Sequence, residues 1–146
     1  MAQRRAIESP LPRVEARVSG TRRRALSVLV VEDDVTVGNC IAEVLIEAGH
    51  TVTTVRTLRD ARLYLSVEYP AVLALDVQLD GELGTELLDD LRDLPHAPSL
   101  VIVSASRLAE CVAQENGALF VRKPFDIEAL IAAVRSAASG PNGEEA

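Results

Sequence analysis

Three four-residue runs without a polar side chain, Val28-Leu29-Val30-Val31, Val72-Leu73-Ala74-Leu75 and Leu100-Val101-Ile102-Val103, punctuate this chain. A strand wetted on one side alternates apolar and polar residues, so a run that is apolar throughout must be covered on both faces. Between the runs the period changes to that of a helix. Residues 35–49 place Ile41, Val44, Leu45 and Ala48 on one face and finish at Gly49. Residues 57–68 align Leu58, Ala61 and Leu65, and residues 84–94 align Leu87, Leu91 and Leu94. Residues 107–116 make a short helix, and residues 126–138 align Ile127, Leu130, Ile131, Val134 and Ala138. The β-branched residues 51–55 and the run Leu119-Phe120-Val121 supply two more strands. Strands alternating with helices in this way predict an α/β fold, with helices on both faces of a five-stranded parallel sheet.

The 146 residues suffice for one domain with a proper core. Charge divides the chain. Residues 1–25 hold seven Arg against Glu8 and Glu15, a net of +5, whereas residues 26–146 hold eight basic and 20 acidic residues, a net of −12. The expected organisation is a basic, disordered extension at 1–25, a domain at 26–139 and a flexible tail at 140–146. No apolar run is long enough to span a bilayer, and no apolar segment follows the first arginines before Leu26, so neither a membrane span nor a secretory signal is expected. Cys40 and Cys111 fall in predicted helices without metal-ligand spacing, which reads as buried free thiols in a reducing cytoplasm. Nothing aromatic or motif-like accompanies the arginines, and nucleic acid is not an expected partner of residues 26–146 at −12.

In parallel α/β sheets, sites form outside the carboxyl ends of the strands. Here those ends carry Glu32-Asp33-Asp34, Asp76, Ser104 and Lys123. Strand ends meet water and carry polar residues anyway, which accounts for one or two of these. It does not account for several acids, a hydroxyl and Lys123, the sole lysine in a chain whose other 14 basic residues are arginines. A compact ammonium on a flexible stem does what a planar guanidinium cannot. Converging carboxylates repel one another and call for a cation. Oxygen ligands suit Mg²⁺, which shares its shell with phosphate oxygens. A carboxylate nucleophile, a divalent ion, a hydroxyl and an ammonium are the parts that phosphoryl transfer requires.

The residues Val28–Asp34, Leu75-Asp76 with Gly81 following, Val103-Ser104-Ala105 and Lys123-Pro124-Phe125 resemble, in order and spacing, the signature of response-regulator receiver domains. The resemblance covers about residues 26–138 and implies a doubly wound, flavodoxin-like (βα)5 fold of strand order 2-1-3-4-5. It implies Asp76 as phospho-acceptor, with Mg²⁺ (or Mn²⁺) held by Glu32, Asp33, Asp76 and the backbone carbonyl of Gln78. Ser104 would hold a phosphoryl oxygen, Lys123 would pair with the phosphoryl group, and Phe120 would be the aromatic switch, although an apolar strand residue belongs there on packing grounds alone. The Lys123–Pro124 peptide would be cis. The acid pair could instead be Asp33 and Asp34, but aligning the apolar run with the family places Glu32 and Asp33 at the strand end, and Asp34 then begins the loop into the first helix. Gln78 and Ser106 occupy positions that resemble neighbours setting the phosphate lifetime. The chain departs from the pattern at Asp80, where Pro is frequent, and between Ser104 and Lys123, which is shorter by about three residues and abbreviates the fourth helix.

The implied function is acceptance of a phosphoryl group from a sensor histidine kinase or a histidine phosphotransfer protein. A partner-binding face made by the fourth helix, fifth strand and fifth helix would then switch. The protein would be no enzyme beyond its own autophosphorylation and autodephosphorylation, a monomer or weak homodimer. No output domain is expected after residue 138, so the protein would act through a partner, as a phosphorelay intermediate or as a phosphate sink. The N-terminal Met and the arm favour a standalone receiver over one excised from a hybrid kinase. Two rivals remain. A phosphatase of the aspartate-nucleophile type needs a second acid two residues after Asp76, where Gln78 stands. A phosphorylation-independent, receiver-like scaffold would share the fold, but such modules usually lack an acid or the lysine.

Overall fold

The computed structural model describes residues 25–79 and 81–139. The extension expected at 1–25 (but for Ala25), the tail at 140–146 and Asp80 lie outside the described residues. The elements run β1 (Ser27–Val31), α1 (Val35–Glu47), β2 (Thr51–Val55), α2 (Leu58–Val67), β3 (Val72–Leu75), the two-residue strands β4 (Gln78–Leu79) and β5 (Glu82–Leu83), α3 (Thr85–Arg92), β6 (Ser99–Ser104), α4 (Arg107–Glu115), β7 (Leu119–Arg122) and α5 (Ile127–Ser139). Five strands form one sheet in the order β2-β1-β3-β6-β7, and all four pairings are parallel. The expected doubly wound, five-stranded order is therefore the observed one. The ribbon β4–β5 is the one element pair not anticipated.

Successive strand residues point to opposite faces, and the core divides accordingly. Leu29, Val31, Leu73, Leu75 and Ile102 pack with Leu58, Ala61 and Leu65 of α2, Leu87, Leu88 and Leu91 of α3, and Ala109 and Ala113 of α4. Val28, Val30, Val72, Ala74, Val101, Val103 and Val121 face Ile41 and Leu45 of α1 and Leu130, Val134 and Ala137 of α5. Each such leucine or isoleucine, fully enclosed, contributes about 1.5–3 kcal/mol. The Thr-rich β2 lies at a sheet edge, and none of its residues is fully buried.

Two expectations are corrected here. Cys40 and Cys111 are free, as expected, but exposed rather than buried. The buried stripe of α1 runs through Gly38, Ile41 and Leu45, and that of α4 through Ala109 and Ala113. A residue two positions from a stripe member stands on the far side of a 3.6-residue turn. Ile127 was expected on the inner face of α5. It opens that helix one turn before Leu130 meets the sheet and is exposed.

His50, immediately before β2, is 4% exposed, and its Nδ1 accepts the N–H of Leu26 at 3.1 Å. Burial, then the nearby Arg135, holds its pKa below the ordinary 6.5. The fold thus prefers the neutral ring. That contribution to stability is complete above the unfolded-state pKa and is lost as pH falls through it toward the lower folded value. The urea midpoint should drop from about pH 7.5 to about pH 5.5 more steeply in wild type than in His50→Gln. Equal slopes would remove His50 from the acid sensitivity.

Candidate functional site

The chain brings its acids together by continuing the sheet ladder past the strand ends. Asp76 N donates to Val31 O at 3.1 Å and Glu32 N donates to Val55 O at 3.0 Å, so the residues after β1 and β3 stay side by side. Glu32, Asp33 and Asp76 each bring a carboxylate oxygen within 4.8 Å of the others. Glu32 and Asp76 are buried, and Asp33 is half-buried. Asp34 has a different task. Its carboxylate accepts the N–H of Val37 and caps α1, while its own N–H donates to Glu32 Oε2 at 3.2 Å.

Lys123 reaches into this cluster from the end of β7. Its Nζ lies 2.5 Å from Glu32 Oε1 and 2.9 Å from Asp76 Oδ2. Its backbone N–H donates to Ser104 O at 3.0 Å, which ties the root of the lysine to the end of β6. The Lys123–Pro124 peptide is cis. Burial is the largest single influence on the ammonium and opposes its charge, yet the hydrogen bonds to Glu32 and Asp76 and the charges of both acids together outweigh it and hold the pKa above the ordinary value. Burial also pushes Glu32 upward, and an ammonium divided between two carboxylates only partly draws it back.

Asp76 is held from two sides. Oδ2 accepts from Lys123, and Oδ1 accepts the N–H of Gln78 at 2.9 Å. Gln78 itself lies in β4, paired with Leu83, and its side chain is exposed. Ser104, fully buried at the end of β6, accepts the N–H of Ser106 on its Oγ at 3.2 Å. The Ser106 hydroxyl in turn caps α4 through the N–H of Leu108. Phe120 is half-buried against the α2–α3–α4 side of the core, with the guanidinium of Arg122 at 5.9 Å from its ring centre. It lies three residues before Lys123.

Two residues of the site escaped the sequence reading. Gly84 N donates to Val77 O at 2.9 Å, and a Cβ on Gly84 would lie 2.6 Å from Asp76 O and 2.7 Å from Val77 Cα. Only glycine lets the chain return this closely over the phospho-acceptor candidate. Glu82 reaches from β5 to accept the N–H of Leu58, the first residue of α2, at 3.1 Å. The available signal was the Asp80-Gly81 dipeptide between Leu79 and Glu82, a tight-hairpin sequence. Gly81 indeed has φ +74°.

Oxygen ligands from three carboxylates at the mouth of a parallel sheet fit a hard divalent ion such as Mg²⁺. Among the described residues, no helix is long and apolar enough to cross a membrane.

Known proteins with this arrangement identify the family. The model of the response regulator receiver domain matches residues 28–135. The regulatory protein VirG of Rhizobium rhizogenes is 35% identical over 114 residues, which cover 75% of this chain and 47% of that protein. The transcriptional regulatory protein TcrA of Mycobacterium tuberculosis is 35% identical over 124 residues, covering 82% of this chain and 47% of that one. The chain thus spans about half the length of these relatives. The receiver domain of the Francisella response regulator 1452 superposes with a TM-score of 0.70 at 25% identity, over 78% of this chain and 97% of that one. A response regulator receiver protein from Burkholderia phymatum gives 0.70 at 28% identity, over 78% and 95%. With a matching strand order, an acid cluster at the strand ends and a family match across most of its length, the chain belongs to the response regulator receiver domains.

Proposed function

We propose that the domain accepts a phosphoryl group on Asp76 from a phosphohistidine of a sensor histidine kinase or histidine phosphotransfer protein. The observation that carries this reading is the Asp76 carboxylate, buried and oriented by Lys123 Nζ and Gln78 N–H beside two further acids. A carboxylate oxygen of Asp76 attacks phosphorus, the P–N bond breaks, and its electron pair returns to the imidazole nitrogen of the donor. Mg²⁺, held by Glu32, Asp33, Asp76 and the carbonyl of Gln78, would neutralise charge on the phosphoryl oxygens. Lys123 exchanges one of its carboxylate partners for a phosphoryl oxygen, and the Ser104 hydroxyl donates to another. The domain is thus the substrate of the transfer and needs no separate turnover activity.

Ser104 ends β6 and is tied through Ser106 to the start of α4, so its movement toward the phosphoryl group pulls on α4 directly. The α4–β7–α5 face exposes Leu108, Leu119 and Ile127, apolar side chains suited to a protein partner. Phe120, between that face and the core, would change rotamer with the switch.

Intact mass tests the reading. After incubation with acetyl phosphate and Mg²⁺, wild type should gain one phosphoryl group, and neither Asp76→Asn nor a sample stripped of divalent ions should do so. A wild-type protein that stays unmodified beside a reactive receiver would shift the assignment to a phosphorylation-independent scaffold.

A further inference from the structure

Resting on the phosphorylation reading, we infer that Glu82 is a positioning residue for Asp76, acting through the β4–β5 ribbon from an anchor on α2. The ribbon pairs Leu79 with Glu82 and Gln78 with Leu83. Alternation puts Leu79 and Glu82 on one face of the ribbon and the exposed Gln78 and Leu83 on the other. On the inner face, Leu79 is buried in the core, and the Glu82 carboxylate takes the N–H of Leu58. In the same strand as Leu79, the N–H of Gln78 donates to Asp76 Oδ1. Contacts therefore run without a gap from the start of α2, through Glu82 and the ribbon, to one of the two oxygens of the phospho-acceptor.

Helix starts leave unpaired N–H groups, and a carboxylate is favourable there on both hydrogen-bonding and dipole grounds. α2 already has an ordinary cap. Thr57 Oγ1 accepts the N–H of Asp60 at 3.1 Å, and Asp60 adds a negative charge in the first turn. Glu82 reaches the same helix end from 24 residues downstream. A residue serving α2 alone has no need to sit in the loop that carries Asp76. Without the Glu82 anchor the ribbon keeps only Leu79 to hold its inner face, and the Gln78 N–H loses its fixed aim at Oδ1. The carboxylate then rotates about Lys123 and reaches the attack geometry less often.

The two caps of α2 make the test, because they separate support of the helix from support of the site. The measurements are the rate of adduct formation with saturating acetyl phosphate and Mg²⁺, hydrogen exchange of the Gln78 amide without donor, and thermal unfolding. Glu82→Ala should slow adduct formation about tenfold and speed exchange at Gln78 by a similar factor. Glu82→Gln, which keeps an acceptor oxygen, should recover the rate to within about threefold of wild type. Thr57→Ala should lower the Tm by about 4 °C, as Glu82→Ala does, while leaving both the rate and the Gln78 exchange unchanged. Wild-type rate and exchange in Glu82→Ala, or equal slowing in Thr57→Ala, would reduce Glu82 to a helix cap and overturn the inference. A wild-type protein that forms no adduct would instead overturn the phosphorylation reading, and Gln78 exchange would still judge whether Glu82 holds the ribbon.

Discussion

Gly84→Ala is expected to destabilise the domain by about 2–3 kcal/mol and to slow phosphoryl-adduct formation on Asp76 by more than tenfold. The new Cβ would stand 2.6 Å from Asp76 O and 2.7 Å from Val77 Cα. Both are backbone atoms, so no side chain can swing aside to admit it. The φ of Gly84 is −59°, which any residue adopts, so the cost is steric rather than conformational. Relief requires moving either the start of α3 or the peptide after Asp76. The first is held by Leu87 and Leu88 in the core, and the second by the bond from Asp76 N to Val31 O. Movement of the second carries the Asp76 carboxylate with it, which is why activity and stability should fall together. Urea unfolding and intact-mass kinetics read the two effects. Gly81→Ala serves as the contrast: its φ is +74° but its Cβ meets nothing within 4 Å, so it should cost only about 1 kcal/mol. A Gly84→Ala protein as stable as wild type would show that the return over Asp76 is not tight.

Lys123→Met should slow adduct formation by about a hundredfold or more. Methionine keeps the apolar stem and removes the ammonium. The three carboxylates of Glu32, Asp33 and Asp76, within 4.8 Å of one another, then lose the shared cation that lies 2.5 and 2.9 Å from two of them. Leaving buried charges uncompensated costs about 2–3 kcal/mol where some solvent reaches the site. That loss should be seen in urea midpoints measured without divalent ions, and should shrink when Mg²⁺ in the millimolar range supplies the missing charge. The kinetic loss should not be restored by Mg²⁺, because the ammonium also stabilises charge on the transferring phosphoryl group. A Lys123→Met protein that reacts at the wild-type rate would remove the lysine from the transfer step.

Both effects depend on residues of very different legibility. Lys123 announced itself as the sole lysine, at the end of an apolar run and before Pro124. Gly84 gave no such signal. Glycine near a helix start is ordinary, and its need arises from a contact with Asp76, eight residues back, that exists only once the chain has turned through Gly81. Glu82 is similar: one acid among the 18 of residues 26–139, distinguished only when α2 is placed beside it. The cysteines failed for a simpler reason. Membership of an amphipathic helix does not say which side of the turn a residue takes, and a two-residue offset from the buried stripe is enough to expose it.

The strands, the helices and the parallel sheet were legible because each follows from a local pattern, whereas the strand order came from the resemblance to receiver domains. A fully apolar run demands two covered faces, and a 3.6-residue stripe supplies the cover. The acids, Ser104 and Lys123 were legible because parallel topology sends every strand end to the same edge. The division of labour at that edge was decided in three dimensions. Asp34 turns to cap α1 while Asp33 joins the cluster, Lys123 is shared between Glu32 and Asp76, and a ribbon anchored on α2 aims the N–H of Gln78 at Asp76. Periodicity speaks for neighbours within a turn or a pleat, whereas a shared proton donor or a missing Cβ is a fact about atoms many residues apart.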